Sequence, residues 1–455
     1  MISILRSLLL IMIVGCSRAH AIIVNDPSGM YRAEIATTGG TIAFLLEVVF
    51  VESQLCDEPF VSASYAIIHN GEEQIRREMS MAFSLGTLRK HEGVIPQKYL
   101  QSSFKRVITF DEYDSVLVWE SRAGFGVTPE SLDVLSGVWR KRRGEAYVEL
   151  PLLMTKLPAT DGHPQRFLPF TGTELAADIR PEIFDGRWRV QFASSDGPAI
   201  GVFEIDKNQI ATGTFLTTTG DYRYLAGRVD GPYMRLSTFD GAHAFLFHAH
   251  MQDDGTIKGD FWSGNWHHET WTAVRDDDAQ LADAFEQTTI TDEQALEDAV
   301  FKDTDGNPTR VLEALDKTGA KARVIEIFGT WCPNCADASR ELVSLKAKYG
   351  DDLGIVGLAF EVTEDFERSA TQVKRHHEHI GSDWEVLIAG LSDKEKATQT
   401  LGFLDKVRSY PTLVFLNSDN EVQAVYSGFS GPATGDAYTE QRLRFEALIE
   451  EMIGE

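Results

Sequence analysis

Apolar and polar positions follow two different patterns along the chain. Residues 22–277 hold short runs in which the two alternate, broken by Gly, Asp and Asn, such as Arg187-Trp188-Arg189-Val190-Gln191-Phe192 and Gly201-Val202-Phe203-Glu204-Ile205. Alternation with a period of two gives a strand one inward and one outward face. Short runs at regular spacing predict antiparallel sheets, closed as a barrel or stacked as a sandwich. The region also repeats. Gly29-Met30-Tyr31-Arg32-Ala33-Glu34-Ile35 echoes Gly186-Arg187-Trp188-Arg189-Val190-Gln191-Phe192, and Ser136-Gly137-Val138-Trp139 echoes Ser263-Gly264-Asn265-Trp266. Two related β-rich units are expected, 22–160 and 161–277, the first carrying an insertion near Met79 to Gln101. The acidic stretch from Asp276 to Asp283 begins a linker over 278–297 or the start of a short helix.

From 298 to 455 the pattern changes. A hairpin is expected from Ala299-Val300-Phe301-Lys302 and Pro308-Thr309-Arg310-Val311. Arg323-Val324-Ile325-Glu326-Ile327-Phe328-Gly329 is a near-continuous apolar run, as a buried central strand would be. Residues from Ala336 to Tyr349 have helical spacing, with Leu342, Leu345 and Ala347 among charged residues. Further on, Leu353 to Phe360 and Trp384 to Ile388 read as strands, each followed by a helix, the first over about Glu364 to His379. A final amphipathic helix carries Leu443, Phe445, Leu448 and Ile449. The expected fold is therefore multidomain, with antiparallel β structure first and α/β structure last.

The α/β part holds the most informative segment, Trp331-Cys332-Pro333-Asn334-Cys335. It lies where a strand hands over to a helix, and Pro333 falls at the first helical position, where a missing N–H costs nothing. Cys332 then sits beside the free N–H groups and positive dipole end of the helix, which favour a thiolate. Since the thiolate attacks disulfides, Cys332 is the expected nucleophile and Cys335, one turn in, the resolving thiol. A zinc half-site is the alternative, but no second CxxC or His-x-His pair follows nearby. His376, His377 and His379 lie in a charged helical stretch and read as a solvated face. Neither a metal nor another cofactor is expected. Downstream, Tyr410-Pro411-Thr412 leads into the apolar run Leu413-Val414-Phe415-Leu416, a strand with proline at its start.

Strand, Trp331-Cys332-Pro333-Asn334-Cys335, helix, then Tyr410-Pro411-Thr412 before a further strand together resemble the TlpA/ResA-like thiol–disulfide oxidoreductases. The resemblance covers the last third of the chain and implies a thioredoxin-like fold. It implies that the Pro411 loop faces the cysteines in cis, and that Trp331, Pro333, Tyr410 and Pro411 contact the substrate strand. Glu326 occupies the position of thioredoxin's buried carboxylate, and Glu361 resembles the active-site glutamate of ResA-like proteins. Either is expected to move a proton to or from Cys335, or else to be a solvated strand end. The inserted β–α piece after Phe360 is typical of the TlpA-like branch. Protein disulfides as substrates and a membrane protein as electron donor are implied, with the chain acting as a reductant. A disulfide oxidase or isomerase would use the same residues. A peroxidase would place threonine at the Gly329 position. A β-domain ligand-binding lipoprotein with a redox appendage is the reading from another class.

The N-terminus agrees with export. Arg6 precedes the apolar run Leu8 to Val14, too short to span a bilayer, giving a signal over residues 1–21. Ala19-His20-Ala21 fits a cleavage site, while Ile13-Val14-Gly15-Cys16 fits a lipobox that would anchor the chain through a lipidated Cys16. The expected location is periplasmic, free or as an outer-membrane lipoprotein. Of four cysteines only Cys56 is then left over, so no structural disulfide framework is expected. With 43 basic and 69 acidic side chains the formal charge is −26, which disfavours nucleic acid and anionic membrane surfaces as partners. In the β region, His243, His248 and His250 either rim a sheet or ligate a metal. The aromatics of Gly213 to Leu225 and Phe261 to His268 are expected to fill a β core. The Gly428 to Gly435 loop either lines the active site or connects.

Overall fold

The computed structural model describes residues 29–51, 60–69, 72–84, 102–110, 113–123, 134–143, 146–157, 181–195 and 197–454. The expected signal with Cys16, and Cys56, lie outside the described residues. Eight strands come first: β1 (Gly29–Thr37), β2 (Gly40–Val51), β3 (Phe60–His69), β4 (Glu72–Ser84), β5 (Ser102–Phe110), β6 (Ser115–Ala123), β7 (Val134–Arg143) and β8 (Ala146–Lys156). Each pairs antiparallel with the next. β1 pairs with β8 from Tyr31↔Lys156 to Ile35↔Leu152, closing a barrel. The alternation is visible on β1, where Tyr31, Ala33 and Ile35 are buried while Arg32 and Glu34 are not. On β7, a Cβ at Gly137 would lie 2.0 Å from the Val118 carbonyl oxygen, so glycine is what lets β7 lie against β6.

A second antiparallel sheet follows: β9 (Gly186–Phe192), β10 (Ala199–Ile205), β11 (Ile210–Thr217), β12 (Gly220–Asp221), β13 (Leu225–Asp230), β14 (Tyr233–Phe239), β15 (Ala244–Met251), β16 (Ile257–Ser263) and β17 (His267–Arg275). Its order is β10-β9-β17-β16-β15-β14-β13-β11-β12, and pairing of β10 with β11 returns it on itself. Trp188, Val190 and Phe192 of β9 point into an aromatic core in which Phe247 stacks on Phe215 at 4.6 Å and on Phe261 at 4.5 Å. Phe239 of β14 faces away from that core, stacking on Phe44 of β2 at 4.4 Å and meeting Trp139 of β7 edge-on at 5.2 Å. The two β sheets therefore share apolar contacts. The first pair of echoing segments opens each sheet, as β1 and β9. The second falls in β7 and β16, but near the start of one strand and at the end of the other.

Residues 276–292 form neither helix nor strand, yet they are pinned down. Phe285 packs against Tyr426 at 4.8 Å, and Asp283 pairs with Arg444 at 2.9 Å. Helix α1 (Glu293–Glu297) follows, with Asp292 accepting from the Ala295 N–H. Then come β18 (Val300–Asp303), β19 (Pro308–Arg310), α2 (Val311–Asp316), β20 (Ala322–Phe328), α3 (Pro333–Tyr349), β21 (Leu353–Glu361), α4 (Phe366–Ile380), β22 (Glu385–Leu391), α5 (Lys394–Leu401), β23 (Thr412–Leu416), β24 (Val422–Ser427) and α6 (Asp436–Gly454). Their sheet runs β19-β18-β22-β21-β20-β23-β24, with β20, β21 and β22 parallel and β23 and β24 antiparallel. Parallel strands joined by α3 and α4, then an antiparallel hairpin and a terminal helix, make a thioredoxin-like fold. Central strands β20, β21 and β23 are buried along their whole length, which is why they read as apolar runs rather than alternations.

Two expectations about helix faces are corrected. Leu443 is 60% exposed, because the buried stripe of α6 runs through Phe445, Ile449 and Met452 and leaves Leu443 outside it. His376 is not on a solvated face: Val373, His376 and Ile380 share the inner stripe of α4, while His377 and His379 lie outward of it.

Candidate active site

Strand β20 delivers the chain to Gly329-Thr330-Trp331, and α3 begins immediately after. Cys332 is the N-cap residue in extended conformation, Pro333 occupies the first turn, and the Cys335 N–H donates to Cys332 Sγ at 3.2 Å. The two cysteines form a disulfide with Cα atoms 5.2 Å apart. A sulfur held at this end of a seventeen-residue helix, with a backbone N–H aimed at it, is placed where a thiolate is stabilised. Cys332 is 7% exposed and Cys335 fully buried, so only the first offers itself to a partner.

Across from them the Tyr410–Pro411 peptide is cis. The Tyr410 carbonyl oxygen lies 3.5 Å from Cys332 Sγ, and the Tyr410 ring meets Trp331 edge-on at 5.7 Å. Trp331 Nε1–H donates to the Phe360 carbonyl at 2.9 Å. The fold thus gathers Trp331, Cys332, Pro333, Cys335, Tyr410 and Pro411 at one edge. The glycine-rich loop joins them, for the Gly428 N–H donates to the Pro411 carbonyl at 2.9 Å.

Both acids are buried, so neither is a solvated strand end. Glu361 ends β21 and accepts from Thr330 through its backbone N–H and its Oγ1, both at 2.9 Å. Burial pushes its carboxyl above the ordinary range, and the Thr330 hydrogen bonds oppose that. Glu326 has no exposed surface and lies under α3, where Ser339 Oγ donates to Oε1 at 2.6 Å. Its carboxyl is raised to about 8, by burial, against the opposing pull of Ser339. The two acids are on neighbouring strands but serve different elements.

A hairpin from the second sheet covers this edge. Ser409 Oγ donates to the Thr219 carbonyl at 2.8 Å, Asn334 Nδ2 donates to the Asp221 carbonyl at 3.4 Å, and the Gly431 N–H donates to Asp221 Oδ2 at 2.7 Å. Gly220 has φ +150°, and a Cβ there would fall 1.9 Å from Asn334 Nδ2. Behind the turn, buried Arg223 pairs with Asp337 of α3 and lies 3.5 Å from Asp240. Burial alone would lower the Arg223 pKa, but Asp337, Asp221 and Asp240 outweigh it and hold the guanidinium charged.

No protein-family model matches the chain, and no curated protein matches it. Solved structures do show similarity, each to about a third of the chain. One is a secreted Mycobacterium tuberculosis disulfide oxidoreductase homologous to DsbE of E. coli, at 16% identity over 32% of this chain and 96% of that one, with a TM-score of 0.24. A DsbF homologue from Corynebacterium diphtheriae shares 16% identity over 34% and 93%, at 0.25. An exposed lipoprotein thioredoxin from Streptococcus pneumoniae shares 22% over 31% and 97%, at 0.21. Scores this low carry no weight for the reaction, and the fold stands on its strand order.

The β-region histidines are dispersed rather than convergent. His243 bonds Asp240 at 3.2 Å, His248 meets Trp262 edge-on at 4.8 Å, and His250 stacks on Tyr233 at 4.5 Å. Among the described residues no group of three or more His, Cys, Asp or Glu is arranged to hold a metal, and no helix is long and apolar enough to cross a membrane. Sequence reasoning missed Thr330 as the partner of Glu361, Ser339 as the partner of Glu326, and the docking of residues 219–223. Only Ser339 left a signal: it lies four residues after Cys335, on the same helix face.

Proposed function

We propose that the chain is an exported thiol–disulfide oxidoreductase of the TlpA-like kind that reduces protein disulfides. The observation that carries this reading is Cys332 at the N-cap of α3, opposite the cis Pro411 and bonded to Cys335. Reduced Cys332 attacks a target disulfide as thiolate, forming a mixed disulfide and releasing one target thiol. Cys335 then attacks Cys332 Sγ, releasing the second thiol and leaving the disulfide described above. Electrons return through a membrane partner that reduces this pair, and Tyr410 and Pro411 offer backbone groups to the substrate strand. The formal charge of −26 suits soluble protein substrates outside the cytoplasm, with Cys16 as a lipid anchor or 1–21 removed. Insulin reduction by dithiothreitol-recharged protein tests this. Cys332→Ser is expected to abolish turnover, and full activity in that variant would remove Cys332 as nucleophile. A Cys332–Cys335 potential near roughly −180 mV or higher would point to oxidation instead of reduction.

A further inference from the structure

Glu326 does not end the polar path beneath α3. Ser339 Oγ, which donates to Glu326 Oε1 at 2.6 Å, also lies 3.2 Å from His376 Nε2 of α4. All three side chains are buried. The His376 ring lies 5.2 Å from that of Phe328, which fixes its orientation. We propose that Ser339 and His376 are positioning residues of a proton store, in which Glu326, Ser339 and His376 together take the proton that Cys335 loses as it becomes a nucleophile. This rests on the dithiol reading above and extends it.

The hydrogen bonds permit the transfer in one direction and its reverse. Cys335 lies one turn before Ser339 on α3, in one apolar cluster with Ile325 and Ile327, which flank Glu326 on β20. Glu326 holds its proton in the folded chain up to about pH 8, so that proton must leave before Oε2, which is buried with no hydrogen-bond partner, can receive the one from Cys335. With its O–H turned toward Ser339 Oγ, the carboxyl hands over its proton while Ser339 passes its own hydrogen to His376 Nε2, and the freed carboxylate then takes the Cys335 proton at Oε2. The products are a Glu326 carboxyl again, a serine hydroxyl again, a His376 imidazolium and the Cys335 thiolate, with the proton count unchanged. Cys335, now a thiolate, displaces the target sulfur from Cys332. When the pair is reduced again, the departing Cys335 thiolate takes the proton back by the reverse path.

The physical gain is in burial. A lone carboxylate without solvent is costly, whereas a carboxylate one hydroxyl away from an imidazolium is compensated. The ionisable groups on the surrounding elements are otherwise engaged. Arg340 bonds Asp337 at 3.0 Å and lies 3.3 Å from His379, while Glu361 is held by Thr330 and Arg368 pairs with Asp114.

The test uses the full chain and follows reduction of the Cys332–Cys335 disulfide by dithiothreitol through Trp331 fluorescence, from pH 5 to pH 9. His376→Gln keeps a hydrogen-bonding amide for Ser339 but cannot take up a proton, and Ser339→Ala removes the link with minimal change in volume. Both are expected to slow the step about tenfold and to move the inflection that Glu326→Gln abolishes. Neither should slow it further when combined with Glu326→Gln. An unchanged profile in both variants overturns the inference, as does an equal slowing at every pH accompanied by a fall in Tm. If His376→Gln does not fold, Ser339→Ala decides. Loss of the wild-type insulin assay would instead refute the dithiol reading, so the two failures are separable.

Discussion

At the scale of the residue, the carboxyl of Glu326 sets a pH dependence for the whole fold. It is raised to about 8 in the folded chain from 4.5, so between those values the unfolded chain has lost its proton and the folded one has kept it. Stability from this group is fully present below pH 4.5 and is lost as pH rises to about 8. Compared with wild type, oxidised Glu326→Gln should therefore lose less stability over that window, by on the order of 5 kcal/mol. Denaturant unfolding of both proteins at pH 5 and pH 8.5 measures this, and parallel curves would show the carboxyl to be ordinary. Glu326 and Glu361 were both legible as acids in apolar strands. Their division of labour was not, because it depends on Thr330, whose hydroxyl carries no pattern, and on Ser339, whose only mark is its place one turn after Cys335. His376 was hidden by its charged neighbours, although its spacing from Val373 and Ile380 marked the inner face of α4.

At the scale of the element, the strand–cysteine–helix unit could be read because everything that makes it is local: a continuous apolar run, then proline where a helix accepts it. Closure of the barrels could not, since the closing pair β1–β8 joins residues at opposite ends of the first sheet. The docking of the β11–β12 turn was equally invisible, linking Arg223 to Asn334 across 111 positions. That turn depends on Gly220. Its φ of +150° is open to glycine alone, and a side chain would also meet Asn334. Gly220→Ala should weaken docking by roughly 1–3 kcal/mol, so that reduced Cys332 is alkylated about tenfold faster by iodoacetamide. Equal rates in the two proteins would mean that the turn does not shield the sulfur.

At the scale of the whole molecule, three sheets are joined through charge as well as apolar packing. Arg223 of the second sheet reaches Asp337 of α3, and Arg368 of α4 reaches Asp114 beside the first barrel. Replacing Arg223 by Met takes the shared guanidinium away from buried Asp221, Asp240 and Asp337, leaving Asp337 with Arg340 and Asp240 with His243, a loss on the order of 3–5 kcal/mol. The loss should shrink as pH falls, because the carboxylates then take up protons. Calorimetry at pH 5 and pH 8 checks both statements, and a variant as stable as wild type at pH 8 would show the cluster to be solvated. The fold class was readable at this scale from texture alone, alternating and then continuous. How the parts meet was not, since no single segment encodes it.

The turn at Thr219 to Asp221 holds the backbone edge beside Ser409 and Gly431 by hydrogen bonds of its own. A strand arriving at Cys332 along that edge meets a competitor tethered to the same chain, whose effective concentration is in the millimolar range for a short connection. On the dithiol reading proposed above, dilute substrates with only a disulfide to offer are outcompeted. On that reading the chain selects partners that are locally abundant or that bind a second surface first, so displacement of the turn, rather than reactivity of the sulfur alone, sets which disulfides exchange with it.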